Sequence, residues 1–240
     1  MISVKVLVVP DIHLKPHMFK LAEDHFSDLG CDTTVFLGDF CDDWGKQNNV
    51  NLYEQTLDAL EDYLANHPNS LVCWGNHDLA YLWGKEDHPG YSFCSSLLVK
   101  DKFEDLIKKY PNTFKIVHRI DNCIFSHGGI TEEFLGYFSI TQIDYNVDKL
   151  ISEINQMRSS ELWVYSSPIW ARPDYSFICF SDSMQVVGHT PVQKLTVLDD
   201  KQLMICDTFS TYQNGDPIGD QTMLILESTL NAEPLMRYKI

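Results

Sequence analysis

The chain has 240 residues, 44% of them hydrophobic and 22% charged, with 18 basic against 34 acidic side chains and a formal net charge of −16. This is a globular composition, and the length suits one undivided domain over residues 1–240. The negative field repels phosphate backbones and anionic lipid, so long nucleic acids and membrane surfaces are not expected partners.

Seven cysteines, Cys31, Cys41, Cys73, Cys94, Cys123, Cys179 and Cys206, show no paired spacing, and several end apolar runs as buried free thiols do. The opening MISVKVLVVPD lacks the basic start, apolar stretch and cleavage site of a secretory signal. No apolar run approaches the roughly 18 residues of a membrane span. A cytoplasmic setting is the expectation.

Short apolar, β-rich runs predict strands at 4–9, 34–37, 70–74, 122–125 and 184–187. Between the first two, Phe19, Ala22, Phe26 and Leu29 share one helical face, and Gly30 suits the helix end. Tyr53, Leu57, Leu60 and Leu64 repeat that spacing, as do Val147, Leu150, Ile151 and Ile154. Alternating strand and helix predicts an α/β domain with an at least partly parallel sheet. The stretch 159–180 is aromatic without clear periodicity and reads as a lid, a rim or a packed loop. Beyond Gly188, runs at 195–198, 203–206 and 222–226 are joined by turn signals at Asp199-Asp200 and Asn214-Gly215. They read as an antiparallel tail, with a second sheet packed on the first.

Polar residues collect just past the strand ends. The first run leads into Asp11-Ile12-His13, the second into Gly38-Asp39 with Asp42 and Asp43 behind, and the third into Gly75-Asn76-His77-Asp78. The fourth leads into Ser126-His127-Gly128-Gly129 and the fifth into Gly188-His189-Thr190-Pro191. Each motif alone reads as a turn or a helix cap. Five such motifs at the carboxyl edge of an α/β sheet, where loops converge, point instead to one metal site. Carboxylate, imidazole and amide donors without thiolate suit manganese, iron or zinc in a non-structural role. Two ions about 3.5–4 Å apart need a bridging anion and serve hydrolytic displacement at phosphorus.

The ordered set Asp11-x-His13, Gly38-Asp39-x-x-Asp42, Gly75-Asn76-His77-Asp78, His127-Gly128-Gly129 and Gly188-His189 resembles the calcineurin-like metallophosphoesterase superfamily. Within it, the bacterial and phage branch of the phosphoprotein-phosphatase type is most similar, since Trp170-Ala171-Arg172 looks like that branch's arginine motif and Ile205-Cys206-Asp207-Thr208 like its late strand. The resemblance implies two packed mixed β-sheets flanked by helices, an αββα sandwich. It implies two divalent metals, manganese foremost with iron or zinc as alternatives. Asp11, His13 and a bridging Asp39 would hold the first ion, and Asp39, Asn76, His127 and His189 the second. It further implies His77 as the acid that protonates the leaving oxygen, Asp42 as its orienting carboxylate and Arg172 as the phosphoryl clamp. The implied reaction is hydrolysis of a phosphate monoester by a metal-bridging hydroxide, on a phosphoprotein or a small phosphate ester. A nucleotide anhydride such as a dinucleoside polyphosphate is the alternative substrate, and an inactive scaffold the alternative class.

The chain departs from the pattern in three places. Pro191 stands where phosphodiesterase relatives carry a second histidine, which favours the phosphatase type. Asp78 replaces glutamate, a conservative change. Asp43 stands where the protein phosphatases have arginine, putting an anion beside the expected substrate and weakening the case for phosphoserine or phosphothreonine proteins. His17, His25, His67, His88 and His118 have no motif context and read as surface or capping residues. Trp44, Trp83 and Trp163 read as core or rim packing, Arg119 as a solvated strand-start residue, and Asp207 as a supporting or turn residue.

Overall fold

Along strand β1 (Val4–Val9) side chains alternate between two apolar layers, because successive residues of a strand face opposite sides of its sheet. Val6 and Val8 join a layer with Val35, Leu37, Cys73, Phe125, Val186 and Met204, while Leu7 and Val9 join a larger layer with Phe19, Phe36, Leu57 and Leu60. The first layer lies between two sheets and the second beneath helices, so the alternation of one strand already specifies a sandwich.

The computed structural model of the chain describes residues 4–138, 146–180, 182–228 and 235–238. Its strands after β1 are β2 (Thr33–Phe36), β3 (Leu71–Cys73), β4 (Phe114–Lys115), β5 (Val117–Ile120), β6 (Cys123–Ser126), β7 (Met184–Val187), β8 (Thr196–Leu198), β9 (Leu203–Ile205), β10 (Leu224–Ser228) and β11 (Leu235–Tyr238). The helices are α1 (His17–Leu29), α2 (Val50–Asn66), α3 (Asn76–Leu82), α4 (Ser96–Lys109), α5 (Glu132–Tyr137), α6 (Val147–Asn155) and α7 (Ser159–Leu162). One sheet runs β11-β10-β1-β2-β3-β4 and the other β5-β6-β7-β9-β8. Both are mixed: β1-β2-β3-β4 and β6-β7-β9 are parallel, while β10, β11, β5 and β8 pair antiparallel. The expected αββα sandwich is the fold observed.

Helix α1 buries Met18, Phe19 and Ala22 and ends on Gly30 at φ 61, as the sequence suggests. Asn49 caps α2 by accepting from Leu52 N. The tail departs from expectation. Of the tail strands, β8 and β9 pair antiparallel in the second sheet, while β10 returns to the first sheet and pairs with β1, Val6 opposite Leu226. Turn signals mark where a strand stops but not which edge it joins next. Beyond the sequence expectations the fold has the short elements β4, β5 and α3, and α4, which buries Val99, Phe103 and Leu106 at helical spacing. All seven cysteines are free, with Cys94 and Cys179 exposed. Among the described residues no helix is long and apolar enough to cross a membrane.

Candidate metal centre and catalytic cleft

The strands β1, β2, β3, β6 and β7 end side by side, and the loops that follow hold every predicted metal-ligating residue. The backbone there is unusual. His13, Asp39, Asp42 and His189 have φ of 42, 51, 63 and 59, the left-handed region that non-glycine residues seldom occupy. Such strain persists where surrounding structure overdetermines it, and it clusters at functional sites. The loops also pack closely: a Cβ on Gly75 would lie 2.0 Å from Asp39 Oδ1, and one on Gly188 2.0 Å from Asp11 Oδ1. Only glycine permits those approaches.

Asp39 is the hub. Its Oδ1 accepts from His77 N at 2.9 Å. Its Oδ2 lies 3.0 Å from His127 Nε2 and 3.8 Å from His13 Nε2, so one oxygen faces two donor groups. On one side His13 Nε2 is also 3.8 Å from Asp11 Oδ2. On the other, His127 Nε2 is 3.0 Å from Asn76 Oδ1 and 3.0 Å from His189 Nδ1.

Each imidazole is set by the atom behind it. His127 Nδ1 donates to Leu37 O at 2.8 Å, and His13 Nδ1 donates to Asp42 O at 2.9 Å. Carbonyls only accept, so in the neutral form of both rings the proton sits on Nδ1 and Nε2 turns its lone pair inward. His189 N donates to both Asp11 oxygens, at 3.2 and 3.0 Å, while His189 Nε2 is buried without a partner. Three acceptor atoms around one ring nitrogen cannot all be satisfied by a single proton. A cation satisfies them together, and this donor set fits divalent metal on both sides of Asp39.

Charge follows the same geometry. Burial alone would raise the Asp39 carboxyl, but His127, His77 and His13 hold it well below the usual range. Burial would lower His127, yet Asp39 and Asp11 lift it to about 9. Burial, with Asp207 beside it, raises Asp11 well above an ordinary aspartate.

The predicted catalytic residues face the same cleft, about 340 Å³ in volume. His77 Nδ1 donates to Asp42 Oδ2 at 2.8 Å. Arg172 borders the cleft and donates from Nη1 to His189 O at 2.9 Å. Asp43 and Trp44 also line the cleft; Asp43 Oδ1 accepts from Trp44 N at 2.8 Å and Thr211 Oγ1 at 3.4 Å. Trp44 is 56% exposed, but its ring N–H is fixed on Thr211 O at 3.1 Å. Asp207 is buried, lines the cleft and accepts from Ser210 N and Oγ, the supporting part expected of it. Arg119 stands apart, bonded to Asp121 O and Asp148.

Several residues support the site in ways that their sequence context does not reveal. Asp78 is fully buried and accepts from the backbone nitrogens of Asp39, Phe40, Cys41 and Gly75, which pins the loop that carries the hub. Burial and nearby Asp39 push its pKa up to about 7, against the lowering effect of the Gly75 and Phe40 N–H groups. Tyr53 and Tyr81 both donate to Asp42 Oδ1, at 2.7 and 2.5 Å. Their helical spacing signals only core packing, because a hydroxyl's destination has no mark in sequence. His88 and His118, expected at the surface, are both buried. His88 contacts Asn76, and His118 Nε2 donates to Val72 O at 3.0 Å.

A family model for calcineurin-like phosphoesterases matches residues 4–193, from β1 through the Gly188-His189 turn. The chain belongs to that family. Calcineurin-like phosphoesterases are hydrolases that normally use divalent metals, in keeping with the two donor groups around Asp39. No sequence among curated proteins matches the chain. Solved structures with this fold include a cold-active protein tyrosine phosphatase from a psychrophilic Shewanella, at 16% identity and a TM-score of 0.60, covering 97% of this chain and 80% of that one. A protein serine/threonine phosphatase from Saccharomyces cerevisiae aligns at 14% identity and a TM-score of 0.54, covering 98% of this chain and 79% of that one. At such identities the likeness is one of fold.

Proposed function

We propose that this phosphoesterase is a two-metal phosphatase of phosphate monoesters, acting on a phosphoprotein or a small phosphate ester. The observation carrying this reading is the convergence of lone-pair donors on both sides of Asp39, in a cleft that also holds His77 and Arg172. Asp11, His13 and Asp39 would hold one ion, and Asp39, Asn76, His127 and His189 the other. Manganese suits these mixed oxygen and nitrogen donors, with iron and zinc as alternatives. When bound, the cations neutralise charge on the phosphoryl group and activate water for attack.

The chain's own residues do the rest. Asp42 keeps the His77 proton on Nδ1 in the neutral ring and stabilises the charged ring, whose Nε2–H can protonate the leaving oxygen. Arg172, held on His189 O, has further N–H groups for the phosphoryl oxygens. Trp44 and Trp170 line the cleft with them.

Charge favours a monoester over an anhydride. Among the described residues lining the cleft, Arg172 is the only lysine or arginine, and Asp43 opposes it. One cation suits one phosphoryl group, whereas a polyphosphate chain brings more anions than this wall neutralises. The seven free cysteines support a reducing, cytoplasmic setting, and the return of β10 to β1 supports one domain over residues 1–240. A panel of phosphorylated compounds assayed with manganese tests the reading. Preferential turnover of monoesters is expected; selective cleavage of dinucleoside polyphosphates would overturn it.

A further inference from the structure

We infer that His88 is a positioning residue that fixes the orientation of the Asn76 side-chain amide, so that its oxygen rather than its nitrogen meets the metal. This rests on Asn76 being a ligand, as proposed above. The oxygen and NH₂ ends of a primary amide are nearly the same size, yet only the oxygen has a lone pair for a cation. An asparagine ligand therefore needs something at its far end that accepts a hydrogen bond and cannot donate one.

His88 supplies that acceptor. Asn76 Oδ1 points at His127 Nε2, 3.0 Å away, and Asn76 Nδ2 lies 2.8 Å from His88 Nε2. With Nε2 accepting from Asn76, the proton of the neutral His88 ring sits on Nδ1, a buried atom with no hydrogen-bond partner among the described residues. The opposite tautomer would put N–H against NH₂ and drive the amide to flip.

The ring is held too firmly to turn away. It is 5% exposed and meets His77 edge-on at a centroid separation of 4.2 Å, Trp170 at 5.3 Å and Trp163 at 5.8 Å. Its backbone is pinned in the turn after α3, His88 N donating to Lys85 O and His88 O accepting from Tyr91 N. The same imidazole thus supports two consecutive residues of α3, a metal ligand and the proposed acid. Residues that orient metal ligands typically contribute a further 10- to 100-fold, roughly, to metal affinity.

A double-mutant cycle read by manganese titration calorimetry tests the inference. His88→Phe keeps a ring of similar size without the acceptor, and it is expected to weaken manganese binding about 10- to 100-fold. In an Asn76→Asp background either oxygen can ligate, so orientation no longer matters. There the same replacement is expected to leave affinity unchanged within about twofold. An equal loss in both backgrounds would mean that His88 only packs, and no loss in either would remove it from the account. If His88→Phe does not fold, the ¹⁵N shifts of His88 in the unaltered chain decide: a protonated Nε2 overturns the assignment and a bare one upholds it. A parent chain that binds no manganese would instead overturn the metal reading on which the inference stands.

Discussion

Half-buried His77 and buried Asp42 form a pair, Nδ1 to Oδ2 at 2.8 Å, and the other Asp42 oxygen accepts from Tyr53 and Tyr81. A carboxylate held at both oxygens fixes the imidazole's position as well as its tautomer. His77→Asn is expected to retain metal while slowing turnover of an alkyl phosphate by about 100- to 10,000-fold, the usual contribution of a general acid. Esters with good leaving groups need less protonation and should lose less. Comparing kcat for alkyl and aryl phosphates checks this, and normal alkyl turnover would remove the acid role.

Arg172 reaches the cleft from a turn in which Ser167 O accepts from both Trp170 N and Ala171 N, and its guanidinium is tied to His189 O. Arg172→Ala is expected to lose about 2–4 kcal/mol of transition-state stabilisation, the scale of one preorganised donor. The measurement is kcat/KM for an aryl phosphate with saturating manganese. An unchanged value would cancel the clamp assignment.

Asp43 is held in the cleft lining by Trp44 N and Thr211 Oγ1, and the ion pair of Arg119 with Asp148 leaves the missing arginine unreplaced from that side. Asp43→Arg is expected to lower KM for simple phosphate monoesters several-fold, an effect that shrinks with salt as exposed charges are screened. Steady-state kinetics at two ionic strengths measure it. A crippled variant would show that Asp43 makes a favourable contact with the native substrate.

The residues gathered in the candidate site were more legible in the sequence than parts of the scaffold, for a physical reason. The proposed metal donors are Asp, His and Asn side chains, and glycines stand beside them where backbones meet, so Gly38-Asp39, Gly75-Asn76 and Gly188-His189 are visible as letters. The support behind them is not restricted in the same way. His88 works through the orientation of another side chain, and Tyr53 through a hydroxyl at the end of an ordinary core position. The destination of β10 was equally hidden, since an apolar run pairs as readily with one sheet edge as with another.

His118 gives the fold a pH dependence away from the metal centre. Burial holds its pKa down to about 4, against an ordinary value near 6.5. Between those values the unfolded chain binds the proton and the native chain does not. The stabilisation is therefore complete above about pH 6.5 and is lost as pH falls toward 4. Between pH 7.5 and 4.5 it amounts to about 2–3 kcal/mol. His118→Gln keeps a donor for Val72 O without titrating, so its metal-free urea stability should fall less over that range by this amount. Parallel pH profiles would contradict the assignment.

The proposed two-metal centre is tested most directly by manganese stoichiometry in the unaltered chain and in Asp39→Asn, measured by titration calorimetry with elemental analysis of the same samples. Two ions per chain are expected, both weakened by Asp39→Asn because that carboxylate faces both donor groups. One ion or none in the unaltered chain, or two retained at full affinity without the Asp39 carboxylate, would contradict the account.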